Sequence, residues 1–129
     1  MPTEKRKFGD LGEKAACDFL QNKKYKILEK NYHKRIGEID IIAKFNNVIH
    51  FIEVKTRTVS SSAKYGLPQE AVNYYKQKKL AKTALFYLSE NDYSDDTNWQ
   101  IDVIAITTNP DKKSVEINHI ENVVDFNVL

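Results

Sequence analysis

Three side chains in two short segments carry most of the chemistry this sequence offers. Asp40 closes Gly37-Glu38-Ile39-Asp40, and Glu53 and Lys55 lie in Phe51-Ile52-Glu53-Val54-Lys55, each set among Ile, Phe and Val. Charged side chains are costly to bury unless they are paired or bind an ion. Paired carboxylates are hard oxygen ligands, suited to Mg²⁺ or Mn²⁺ rather than zinc. Such an ion polarises a phosphoryl oxygen and lowers the pKa of a bound water. Lys55, two residues beyond Glu53, points to the same strand face, where an ammonium can orient the attacking water or stabilise a phosphorane-like transition state. Two acids, a hard metal and a lysine suit the hydrolysis of phosphodiesters.

The elements that must position these residues follow from periodicity. Phe8, Leu11, Ala15, Ala16, Phe19 and Leu20 recur at three- and four-residue spacing, which predicts a helix from Phe8 to about Lys24. A strand starts at Tyr25 and runs towards His33, a second covers Ile36 to Ala43 and a third Val48 to Arg57. Thr58 to Gly66 is a Ser-rich loop, and Pro68 suits the first turn of a second helix reaching about Leu88. Beyond a polar turn over Asn91 to Asn98, further strands are expected at Trp99 to Ile106 and Ser114 to Ile120. The order α-β-β-β-α-β-β implies an α/β fold: one domain over residues 1–129 with a mixed β-sheet flanked by helices.

Register sharpens the carboxylate pair. Asn tolerates positive φ, so Asn46-Asn47 suits a two-residue hairpin turn between strands two and three. Residues then pair at a constant index sum, so Phe45 faces Val48, Asp40 faces Glu53 and Glu38 faces Lys55. Facing side chains have Cβ atoms about 4.5–5.5 Å apart, and like charges placed so are destabilising. Two such carboxylates share a proton or hold a cation. The alternative is that both acids sit at strand ends and reach water. Both faces of this strand pair carry Ile, Val and Phe, which points to cover on each side.

Composition narrows the setting. The chain has 129 residues, 41% of them hydrophobic, which suits a single core. No apolar run approaches the ~18–20 residues that cross a bilayer. The basic N-terminus has no apolar export-signal core and Cys17 is the lone cysteine, so a cytoplasmic location is expected. His33, His50 and His119 are scattered without zinc-site spacing. Net charge is +2 but uneven: residues 1–82 hold 18 Lys/Arg against 9 Asp/Glu, a net of +9, and residues 83–129 hold 2 against 9, a net of −7. The basic portion suits a polyanion, although a lysine-rich solvated surface reads the same way.

At Asp40 and Glu53-Val54-Lys55 the chain resembles the PD-(D/E)xK nuclease superfamily, the restriction-endonuclease-like fold, whose αβββαβ core also matches the expected order. Gly9-Asp10-Leu11-Gly12-Glu13, Gly37-Glu38-Ile39-Asp40-Ile41-Ile42-Ala43 and Phe51-Ile52-Glu53-Val54-Lys55-Thr56-Arg57 look like the YraN-like family of small bacterial proteins. Gly66-x-Pro68-x-Glu70-Ala71-Val72 and Ile101-Asp102-Val103-Ile104-Ala105 extend the likeness over nearly the whole chain. That family is similar to archaeal Holliday-junction resolvases. The resemblance implies a Mg²⁺- or Mn²⁺-dependent endonuclease acting on DNA, including branched DNA, as a homodimer. It implies metal ligation by Asp40, Glu53 and the Val54 carbonyl, help from Glu13, and Lys55 as the catalytic lysine. Ile39 replaces the usual Pro before Asp40, and Asn73 stands where exonuclease branches carry a Tyr after Gln69.

Other residues carry two readings each. Asp10-x-x-Glu13 also fits a helix capping box. Lys76, Lys79 and Lys82 form either a phosphate-contacting stripe or a solvated face. Thr56, Arg57 and the segment from Ser60 to Lys64 form either a substrate loop or a linker. Tyr74, Tyr75 and Tyr87 suit packing better than base stacking, and Asp102 is expected to be structural, paired with a neighbouring cation. Two further readings stand beside the nuclease: a nucleic-acid-binding module with a weak or silent site, and a scaffold in which the acids form salt bridges such as Glu38–Lys55.

Overall fold

The computed structural model describes residues 3–59, 74–111 and 113–124. Of the Ser-rich loop expected from Thr58 to Gly66, Thr58 instead ends the third strand, and Ser60 to Gly66, with Lys64, lie outside the described residues, as does the start of the second helix at Pro68. Helix α1 spans Glu4–Asn22, β1 Lys26–Lys34, β2 Gly37–Phe45, β3 Val48–Thr58, α2 Tyr74–Glu90, β4 Asn98–Asn109 and β5 Ser114–Ile120. No described helix is long and apolar enough to cross a membrane.

Helix α1 starts earlier than its apolar spacing predicts. Thr3 caps it, its hydroxyl accepting from the Arg6 N–H at 3.1 Å. Asp10 therefore lies inside the helix and does not cap it, and Glu13 is left without a capping role. At the other end Lys24 takes a left-handed φ of 73°, and the Tyr25 N–H returns to the Leu20 carbonyl at 3.0 Å.

The five strands form one mixed sheet in the order β1-β2-β3-β4-β5. The β1–β2, β2–β3 and β4–β5 pairs are antiparallel, and β3–β4 is parallel, reached by a crossover through α2. This is the α/β architecture expected from the element order. Each helix covers one sheet face. Ala16, Cys17 and Leu20 of α1 pack with Tyr25, Ile41, Ala43, Ile52, Ile104 and Ile106. Leu80, Ala81, Ala84, Tyr87 and Leu88 of α2 pack with Ile39, Ile42, Ile49, Phe51, Ile101 and Val103 on the other. The central strands are thus covered on both sides, as their apolar faces predict.

The β2–β3 hairpin turns at Asn46 and Asn47, whose φ values of 50° and 63° are the paired positive angles of a type I′ turn. Its ladder runs from Phe45↔Val48 to Ile41↔Ile52 at the expected index sum, and there it stops. Beyond that point β2 remains paired with β1 as far as Lys34↔Gly37, and β3 with β4 as far as Thr58↔Thr108. The centre of the sheet therefore opens into a fork.

Candidate active site

Asp40 and Glu53 are the first residues past the last paired position, at the crotch of this fork. The face alternation of β2 slips here. Ile41 and Ala43 lie on the α1 face, whereas Ile39 joins Ile42 on the α2 face. The intervening Asp40 turns its carboxylate across the gap, where Oδ2 accepts the Val54 N–H at 2.8 Å. In an extended strand a residue's N–H and C=O point to the same edge, so the Val54 carbonyl also faces the fork. The β2–β3 ladder has already ended there.

Glu13 approaches Asp40 from α1, closely enough for the two carboxyl groups to share a hydrogen bond. Such a bond requires a proton on one of them. Burial pushes the Glu13 carboxyl up, and the Asp40 charge pushes it further. Burial also raises Asp40; the Val54 N–H opposes this, and Glu53 adds to it. Glu13 and Asp40 line one groove with Arg6, Asp10 and Lys30, and Glu53 lines another; among the described residues the three acids do not bring their ligand atoms within 4.8 Å of one another, so the expected convergence on one ion is not seen. The pairwise crowding, with Glu13 and Asp40 both raised, still marks a region short of positive charge.

Lys55 supplies part of that charge. Its Nζ lies 2.9 Å from Glu53 Oε1, with side-chain exposures of 33% and 18%. Burial works to lower its pKa, but the Glu53 carboxylate outweighs burial and holds the ammonium above its ordinary value. The pairing differs from the expected Glu38–Lys55 contact. Because the strands diverge past Ile41 and Ile52, Glu38 faces β1 instead, and His33 Nδ1 lies 3.2 Å from its Oε1.

Two glycines set the approach of the helices. A Cβ on Gly12 would run into the Thr56 side chain of β3, so the glycine lets α1 settle onto the sheet one residue before Glu13. A Cβ on Gly37 would strike Thr83 Oγ1 of α2. A groove beside the fork is lined by His33, Lys34, Arg35, Glu38, Glu53, Lys76 and Lys79. Of the proposed lysine stripe, Lys76 and Lys79 thus reach the site, whereas Lys82 is exposed and is not among the groove residues. Arg57 lies two residues beyond Lys55 on β3, on the same face by strand alternation. Tyr87 is buried against Tyr32 and Phe51, as packing predicts, while Tyr75 is 81% exposed.

One constellation escaped the sequence reading. Asp102 is fully buried and hydrogen-bonds with two histidines, His50 Nδ1 at 2.6 Å and His119 Nε2 at 2.8 Å. The expectation of a structural acid with a cationic neighbour pointed this way. Its partners, 52 and 17 residues distant, carried no local signal.

The model of Uncharacterised protein family UPF0102 matches residues 12–106, a span that includes Glu13, Asp40, Glu53, Lys55 and Asp102. A UPF0102 protein of Caldanaerobacter subterraneus subsp. tengcongensis is 45% identical over 119 residues, 92% of this chain and 94% of that protein. One from Thermodesulfovibrio yellowstonii is 52% identical over 116 residues, 88% of this chain and 92% of its own. Another, from Clostridium acetobutylicum, is 43% identical over 117 residues, 91% of this chain and 93% of its own. On this likeness, which takes in the fork, the chain belongs to the Uncharacterised protein family UPF0102.

Proposed function

We propose that this protein is a cytoplasmic, metal-dependent endonuclease of the restriction-endonuclease-like superfamily that hydrolyses phosphodiester bonds in DNA, branched DNA included. The observation that carries the reading is the fork, where Asp40 stands between Glu13 and Glu53 with Lys55 held on Glu53. The resemblance to YraN-like proteins and junction resolvases supports the same assignment. Carboxylates and a backbone carbonyl, with Glu13 pushed up by burial and Asp40, and Asp40 by burial and Glu53, suit a hard divalent cation. Asp40, Glu53, Glu13 and the Val54 carbonyl would hold Mg²⁺ or Mn²⁺, and the bound ion would supply Lewis-acid polarisation and an acidified water.

The chain's own residues do the rest. Lys55 is an ammonium at neutral pH, so it acts as a donor and not as a general base. It orients the attacking water and offsets charge building on the phosphate oxygens. Asp40, fixed by the Val54 N–H, cannot swing away, which keeps the acids in register with each other. Lys76 and Lys79 beside the groove, and Arg57 further along β3, meet flanking phosphates and set position without reading bases. A homodimer would present two such sites to two strands.

The test is a cleavage panel of single-stranded, duplex, flap and four-way-junction DNA with Mg²⁺ or Mn²⁺. The wild type should cut at least one form. Asp40→Asn should abolish cutting while the protein stays folded, since an amide oxygen can still accept the Val54 N–H. Lys55→Met should slow it about 10²–10³-fold. Full activity in both variants would sink the assignment. Salt-sensitive binding without cutting by the wild type would favour a silent nucleic-acid-binding module.

A further inference from the structure

We propose that His50, Asp102, His119 and Glu121 form a second, structural metal site of the zinc type, separate from the fork. Each offers a ligand atom, and these atoms all lie within 4.8 Å of one another. The residues come from β3, β4, β5 and the segment just after β5. Both histidines aim a ring nitrogen at one oxygen, Asp102 Oδ2. Zinc–ligand bonds of about 2.0–2.1 Å in a tetrahedron separate ligand atoms by roughly 3.3 Å. The two nitrogens would need to retreat by about half an ångström. Each ring would also adopt its other tautomer, presenting a lone pair where its N–H now points.

Charge favours a cation here. Two carboxylates and two neutral imidazoles carry two negative charges, and Asp102 has no exposed surface. Glu121, a second acid, sits beside it, its Oε1 accepting at 3.3 Å from the same Gln100 Nε2 that serves Asp102. The donor set differs from the fork in kind: two imidazoles and two carboxylates suit Zn²⁺ and its neighbours, not Mg²⁺. The surroundings orient the ligands as supporting residues do around known metals. Gln100 Nε2 and the Asn122 N–H both donate to Asp102 Oδ1, each at 2.9 Å, leaving Oδ2 for the cluster. Tyr25 stands edge-on to both imidazoles, with centroids at 5.1 and 5.8 Å, and Phe19 backs His119 at 6.4 Å. Exposed Glu121 leaves a path to solvent. His50 lies three residues before Glu53, about 10 Å along the strand and on the opposite sheet face, so an ion here would not occupy the nuclease site. It would fasten β3, β4 and β5 together.

The test titrates metal-free protein with Zn²⁺, and with Co²⁺ as a spectroscopic stand-in. The wild type should retain about one Zn²⁺ per chain after dialysis, unfold at higher temperature with zinc, and give the intense visible bands of four-coordinate Co²⁺. Glu121→Gln leaves the buried groups intact; it should weaken zinc binding by about tenfold or more with no change in the metal-free melting temperature. His119→Gln should abolish the cobalt bands, and Asp40→Asn should leave them unchanged. A wild type that retains no zinc and shows no such bands, or a Glu121→Gln variant that binds zinc as tightly as wild type, overturns the proposal.

Discussion

Asp40 serves two partners at once, and its neighbours explain why neither could be replaced by an apolar residue. The Val54 N–H needs an acceptor because β2 no longer offers it a carbonyl, and an unpaired buried amide costs about 1–3 kcal/mol. That acceptor in turn crowds Glu13 and is itself crowded by Glu53, and in the proposed function a cation would relieve the crowding. The sequence brought Asp40, Glu53 and Lys55 to notice through strand alternation and the Asn-Asn turn, but the register so fixed ends at Ile41↔Ile52, one residue short of the acids. It did not make Glu13's role legible: Asp10-x-x-Glu13 fits a cap equally well, and only the cap at Thr3 decides. A separate residue tests the core. Burial, then Tyr93, pushes the Tyr87 hydroxyl up from 10.0 to about 12. A phenol with a higher pKa when folded keeps its proton longer in the native state. The stability it contributes is whole below about pH 10 and is lost as pH climbs towards 12. Two units correspond to at most about 3 kcal/mol. Denaturant midpoints followed across this window should fall less steeply in Tyr87→Phe than in wild type.

At the scale of elements, the site is made by strands parting company. β2 follows β1 and β3 follows β4, and the gap between them is where the acids sit. No residue in either strand announces the divergence, since it depends on each strand's other neighbour. For this reason the index sum from the Asn-Asn turn holds as far as Ile41↔Ile52 and fails beyond it, at Asp40–Glu53 and Glu38–Lys55 alike. The helices are held in place by contacts equally silent in the sequence. Gly12 matters because Thr56 lies against it. Thr is β-branched, so turning it only exchanges a hydroxyl for a methyl group. Gly12→Ala should therefore destabilise by about 1–3 kcal/mol through overpacking, despite the better helix propensity of Ala. Thr56→Ala should restore most of that loss when combined with it. Urea unfolding of both single variants and the double variant measures the coupling; additive effects would mean the two residues do not meet.

Across the whole molecule, charge is divided much as the proposed work is. The net +9 portion, residues 1–82, contains the fork, Arg57 and the groove lysines Lys76 and Lys79, and the net −7 remainder holds β4, β5 and the acidic turn before β4. A polyanion would be drawn to the first and repelled by the second. Binding of duplex DNA should weaken linearly in log–log plots against salt, and Lys79→Ala should reduce the slope by about 1 without changing sequence preference. Fluorescence anisotropy over a salt series reads both. An unchanged slope would remove Lys79 from the DNA path. The likeness to family relatives spans both charge regions, so the division belongs to one continuous matched chain. The Asp40–Val54 hydrogen bond has one more consequence. It makes a single half-buried backbone amide answer to the protonation of a carboxylate, and to its ligation should a metal bind. In a proton–nitrogen correlation spectrum, the Val54 resonance is therefore a built-in gauge of the site, legible without any substrate.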